Sequence, residues 1–185
     1  MYNMKIFFDT EFTGLHKNTT LISIGIIDED DNMFYAELND YDESQCDDWI
    51  NENVIKHLKF NEYYTHMEVH GRNVNMKGSK SYVADCLKIW LSDYDSVQLV
   101  SDVCHYDMVL FIDLFGTAFD LPKKINASCH DINQDISEYY NISEAEAFDK
   151  SREDMLDQFN VIIDGDKHNS LYDAKVIKEL YYYLG

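Results

Sequence analysis

In the segment FDTEF, Asp9 and Glu11 stand two residues apart at the end of an apolar run. Side chains alternate faces along a strand, so both carboxylates would project the same way. Two like charges at the mouth of an apolar strand are costly unless a cation neutralises them. Hard oxygen donors favour Mg²⁺ or Mn²⁺ over zinc. A bare DxE recurs by chance and carboxylates often end strands, so the pair says little by itself.

Two further groups could join it. In SDVCHYDMVLF, Asp107 opens an apolar stretch that reads as a buried helix, where a carboxylate complements the helix dipole. Asp102, five residues earlier, competes for the same role; Asp107 is preferred because the apolar run after it can pin a helix in place. In HNSLYDA, Asp173 falls near the first turn of the last helix, with His168 on the loop just ahead. A histidine beside carboxylates can accept a proton near neutral pH.

Other candidates carry less. His66 and His70 have helical i, i+4 spacing, but the glutamate between them is misplaced for HExxH, and a solvated helix face is the better reading. His130-Asp131 lacks the further histidines a metal phosphohydrolase needs. Tyr181–Tyr183 reads as packing at the domain edge. The acidic runs at 28–31 and 40–48 read as solvated loops. HGRNVNMKGSK is the least acidic stretch, and Arg72, Lys77 and Lys80 within it are candidate phosphate contacts, weighed equally against a solvated loop.

The elements that must hold these groups follow from periodicity. Met4–Asp9 reads as a central strand and Leu21–Asp28 as a second. The EDDN run makes a hairpin turn into a third strand at Met33–Leu38. Helical spacing appears around Trp49–Leu58 and again over Ser79–Leu91. Val97–Val100 reads as a strand, Tyr106–Phe115 as a helix, and Ser128–Ile132 as a fifth strand. Residues 133–165 read as irregular or short helical material before a closing helix at Asn169–Leu184. A meander followed by alternating strands and helices predicts an α/β domain on a mixed sheet. One domain spanning 1–185 fits the length, with a single proline and seven glycines leaving no long linker.

Taken together, FDTEFTGL, the HYDMVLF helix and HNSLYDA resemble the three exonuclease motifs of the DEDDh 3′-to-5′ exonucleases. The resemblance runs nearly end to end. Within that superfamily the chain is most similar to the Rv2179c-like exoribonuclease group, which includes phage exonucleases of the DexA type; WINENVIKHL and YDMVLFIDLFG also resemble that group. Glu43–Asp48 and residues 133–165 match nothing in it. The histidine–asparagine pair common before the second-motif aspartate reads Cys104-His105-Tyr106 here. The resemblance implies a ribonuclease H-like fold with a mixed five-stranded sheet and flanking helices. It further implies two divalent cations, Mg²⁺ or Mn²⁺, held by Asp9, Glu11, Asp107 and Asp173, with His168 as general base. Thr13, Gly14 and Leu15 match positions that line the site for the terminal nucleotide. The implied substrate is single-stranded DNA or RNA, or short oligonucleotides, released as 5′-mononucleotides.

Charge is the feature out of step. Thirty-five acidic against fifteen basic residues give a formal net charge of -20. Proteins that grip long nucleic acid usually show a basic footprint, so contact here should be local, short or metal-mediated. A rival reading takes the chain as an acidic module that mimics nucleic acid on an inactive nuclease fold. There is no basic n-region ahead of the first strand and no apolar run of membrane-spanning length. The four cysteines form no CxxC pair. A soluble cytoplasmic protein is expected.

Overall fold

The computed structural model describes residues 4–60 and 65–185. Its strands are β1 (Met4–Phe12), β2 (Leu21–Asp28), β3 (Met33–Leu38), β4 (His66–His70), β5 (Asn73–Gly78), β6 (Val97–Ser101) and β7 (Ile125–Asp131). Among the described residues they form one mixed sheet of seven strands in the order β4-β5-β3-β2-β1-β6-β7. The first three strands are an antiparallel meander, while β6 and β7 run parallel to β1. The ribonuclease H-like expectation holds, but the sheet is larger than five strands.

The extra strands come from the stretch around His66–His70. The i, i+4 histidines sit on β4, not on a helix, and β4 pairs with β5 in an antiparallel hairpin through Gly71 at φ 64°. A left-handed turn residue costs glycine little, and the Gly71 corner closes the hairpin tightly. The β4 side chains are mostly exposed, so this edge strand carries no continuous apolar run that periodicity could detect.

Among the described residues, seven α-helices flank the sheet. They are α1 (Asp48–Asn53), α2 (Lys80–Leu91), α3 (Cys104–Phe115), α4 (Ile132–Tyr140), α5 (Glu144–Phe148), α6 (Arg152–Phe159) and α7 (Ser170–Leu184). Residues 133–165 are thus three short helices, each opened by a capping side chain from Asp131, Ser143 or Ser151. Strand parity divides the core. Ile6 and Phe8 pack with α2 and α3, and the Phe8 ring lies 5.2 Å from Phe111. Phe7 points the other way, against Ile177 and Leu180 of α7. β2 is buried along its whole length, as expected of a strand covered on both faces.

Candidate active site

β1, β6 and β7 are parallel, so their carboxyl ends open at one edge of the sheet, where α/β folds place their ligands. Asp9 and Glu11 lie there on the Phe7 face of β1, beneath the start of α7. Asp173, in the first turn of α7, meets them: carboxylate oxygens of Asp9, Glu11 and Asp173 all lie within 4.8 Å of one another. Gly25 makes the meeting possible. It pairs across the sheet with Asp9, and a Cβ built there would come within 2.2 Å of the Leu171 backbone nitrogen. The helix can rest that close to β2 only because the position has no side chain. Ser23 and Ser170 lock the same contact through a 2.9 Å hydroxyl pair.

Asp107 approaches from the opposite face, on the first turn of α3. It is 5 % exposed, and Thr10, whose parity puts it on that face, donates both its N–H and its hydroxyl to Oδ1. Ser101 at the end of β6 donates to Oδ2 at 2.7 Å. These bonds fix the orientation of the carboxylate while leaving a lone pair on Oδ2.

Asp102 is occupied differently. Arg152 binds it bidentately, Nε to Oδ2 at 2.6 Å and Nη2 to Oδ1 at 2.8 Å. Arg152 also donates to Asn133, Ala147 O and Lys150 O, so all five of its N–H groups are used. Asn133 returns to Asp102 and Asp131, and Asp131 accepts the Cys104 N–H at 3.2 Å. This network ties the three-helix segment to the start of α3. There Val103 is held at φ 57°, an unusual conformation for a β-branched residue, set beside the site.

Unneutralised, the carboxylates strain against one another. Asp9 is pushed well above the usual carboxylate range, first by burial and then by Asp107, Asp173 and Glu11. Glu11 is raised to about 9 by burial and by Asp173 and Asp107. Asp107 and Asp173 each rise to about 7, burial outweighing the hydrogen bonds that favour their charged forms. Paired hard oxygens whose charge is unmet are the donor set that fits divalent cations of the Mg²⁺ type.

His168 sits at φ 63° just before α7 and donates its N–H to Asp173 Oδ2 at 2.9 Å. Burial, then Lys167 and His57, lower its pKa, so the ring is neutral at neutral pH. The half-exposed Trp49 meets the ring edge-on, with centroids 5.2 Å apart. Asn169 caps α7 on Leu171 and Tyr172 and donates to the His57 carbonyl, steadying the loop that carries His168.

These groups line a cleft of about 820 Å³, within the range of small-molecule sites. Thr13, Gly14 and Leu15 form its rim. Thr13 is buried and accepts the Thr20 N–H, closing a short loop that leaves Leu15 79 % exposed. Tyr106, stacked on Phe12 at 5.3 Å, lines the cleft as well. Arg72, Lys77 and Lys80 do not line it. Arg72 pairs with Asp93 and lies over the Tyr94 ring, Lys77 is buried against Glu37, and Lys80 pairs with Asp113. The cations that do line the cleft are Lys150, Arg152 and Lys167. Sequence reading missed them because the segment carrying the first two showed no periodicity. Gly25 did have a signal, an isolated glycine inside a strand pattern.

A carboxylate cluster at the end of the central strand of a ribonuclease H-like sheet, with a histidine heading the facing helix, is the arrangement that the three sequence motifs led us to expect. The chain belongs to the 3′-5′ exoribonuclease Rv2179c-like domain family, whose model matches residues 4–184. It is 26% identical over 133 residues to the 3′-5′ exoribonuclease Rv2179c of Mycobacterium tuberculosis (strain ATCC 25618 / H37Rv), covering 71% of this chain and 73% of that protein. Among solved structures it resembles the nuclease domain of 3′hExo, a DEDDh family member bound to rAMP, with TM-score 0.68 and 13% identity over 99% of this chain and 92% of that one. The Mg²⁺- and Mn²⁺-bound form of S. pombe Pop2p gives a TM-score of 0.64 at 14% identity, over 97% and 82% of the two chains. A 3′-exonuclease solved for its recognition of the histone mRNA stem-loop gives 0.67 at 14% identity; this chain spans 63% of its length.

Proposed function

We propose that the protein removes 5′-mononucleotides from the 3′ end of single-stranded RNA, by metal-dependent hydrolysis at the cleft. The observation that carries this reading is the convergence of Asp9, Glu11 and Asp173 within 4.8 Å, beside a histidine whose pKa is lowered. Asp9, Glu11, Asp107 and Asp173 would hold two Mg²⁺ or Mn²⁺ ions. Bound cations would supply the charge that makes water acidic enough to attack and that stabilises the departing 3′ oxygen.

The rest of the work falls to the chain. His168, neutral at rest, accepts the proton of the attacking water. Its φ of 63°, its N–H bond to Asp173 and the edge of Trp49 fix where the ring can reach. Asp107 is held rigid by Thr10 and Ser101, so its charge is preorganised. Thr13, Gly14 and Leu15 seat the terminal nucleotide, with the exposed Leu15 offering apolar contact to a base. Asp102 stays with Arg152 and serves the fold. The four free cysteines fit a reducing cytoplasmic setting.

Degradation of 5′-labelled RNA oligonucleotides tests the proposal. A ladder growing from the 3′ end, with 5′-mononucleotide products, is expected with Mg²⁺ or Mn²⁺ and not with chelator. A 3′-phosphate should protect the substrate. Internal cuts, or unchanged degradation in chelator, would overturn it. Equal degradation of DNA would remove the RNA assignment alone.

A further inference from the structure

The cations that line the cleft stand at places the sequence motifs do not mark. Of the chain's two arginines, Arg72 lies outside the cleft and Arg152 has every N–H committed to internal acceptors. The remaining cleft cations are Lys150, on the turn between α5 and α6, and Lys167, next to His168. Lys150 has no carboxylate partner among the described residues; its ammonium rests over the Tyr140 ring at 4.2 Å. Lys167 pairs with Glu153 at 3.1 Å, and both side chains are well exposed, so that pair is weak and exchangeable. Arg152 holds the Lys150 carbonyl at 2.6 Å and the Ala147 carbonyl at 2.8 Å. The turn is therefore pinned to Asp102 beside α3, and Lys150 starts from a fixed backbone.

Thr13–Leu15 take the terminal nucleotide and the acidic cluster takes the scissile phosphate. Phe148, Lys150 and Lys167 line the same cleft and are taken up by neither, which leaves them available to the strand upstream. Resting on the exonuclease reading, we infer that Lys150 and Lys167 form a phosphate subsite for the nucleotide 5′ to the scissile bond. Arg152 is its positioning residue. On a chain of net charge -20 this subsite concentrates what little phosphate affinity there is, and it fits very short oligonucleotides carrying a 5′-phosphate.

The test compares a mixture of ribodinucleotides with and without a 5′-phosphate. Equilibrium binding is measured in an Asp9→Asn background, so that it does not depend on turnover, and cleavage is measured in the parent. The parent should prefer the 5′-phosphorylated dinucleotides, and Lys150→Ala should reduce that preference about tenfold, as expected for a charge-assisted hydrogen bond. Lys167→Ala should act in the same direction, and each loss should flatten the dependence of log K on log salt by about 0.7. Lys88→Ala, which removes one charge outside the cleft, should leave the preference as it was. A preference unmoved by Lys150→Ala and Lys167→Ala, or absent in the parent, overturns the subsite. Failure of the parent to cleave any dinucleotide counts against the exonuclease reading, while the binding ratio still decides this one.

Discussion

Gly25→Ala is a small change that should disable the site without touching a charged residue. Gly25 lies in the middle of β2, between β1 and β3, and every residue of that strand is buried. Its backbone is one any residue adopts, so alanine brings no conformational strain. The added methyl instead meets backbone: Leu171 N at 2.2 Å, and Ser170 C and O at 2.3 Å. Ordinary contact needs roughly 3.5 Å, so something must give by about 1 Å. The strand is fixed on both sides, and the start of α7 is the part free to move. Asp173 and His168 travel with it, while Asp9, directly across from Gly25, stays behind.

Overpacking of this kind costs about 1–3 kcal/mol, a fall of roughly 3–10 °C in melting temperature at this chain length. The effect on turnover should be larger, because a misplacement of about 1 Å can cost about 10²-fold. Mn²⁺ affinity should fall in parallel, since one of three converging carboxylates has shifted. Gly71→Ala supplies the contrast. Nothing lies within 4 Å of its would-be Cβ, yet φ is +64°, so alanine is strained there without crowding anything. It should lose about 1 kcal/mol of stability and keep its activity. Wild-type turnover and Mn²⁺ affinity in a folded Gly25→Ala protein would refute the argument that this contact places Asp173.

Other perturbations separate the roles. Asp9→Asn should abolish cleavage yet raise the metal-free melting temperature, because the group it neutralises is crowded by four carboxylates; full activity would sink the metal assignment. His168→Ala should lower kcat by about 10²–10⁴-fold with little change in Mn²⁺ binding measured by calorimetry, and a collapse of that binding would make His168 a ligand. Asp107→Asn should lose far more activity than Asp102→Asn, whose principal signature should be a lower melting temperature from the broken Arg152 pair; the reverse ranking would show the second motif misplaced. Metal-free protein should lose stability as pH rises from about 4 to about 7, because in that window the folded Asp107 and Asp173 still hold protons that the unfolded chain has released. Saturating Mg²⁺ should remove the decline in a thermal scan, and a metal-free stability that rises across the same range would contradict the crowded cluster.

What could be read from the sequence was whatever depended on local order. Asp9 and Glu11 share a face because β1 alternates, and HNSLYDA put His168 and Asp173 at a helix start because capping is local. The preference for Asp107 over Asp102 rested on the same kind of cue. The structure gives the two aspartates contrasting surroundings, hydroxyl donors for one and a bidentate guanidinium for the other. Features set by long-range contacts were not legible. β4 was mistaken for a helix because histidines four apart on an exposed edge strand mimic helical spacing, and nothing buried was there to correct the period. Arg152 reaches Asp102 across fifty positions of sequence, and no spacing rule connects them.

The charge problem resolves along the same line. Counting cations over the whole chain pointed to the basic stretch at 70–80, yet there each cation has an aromatic or acidic partner of its own. Those three cations also stand outside the cleft, however much they raise the local average. Whether a cation can serve substrate depends first on where the fold places it, and Lys150 and Lys167 line the cleft. On the proposed reading a strongly acidic chain can still hold a polyanion's end: bound metal and the two cleft lysines would meet the few phosphates that enter, while the acidic exterior would repel the rest of the strand.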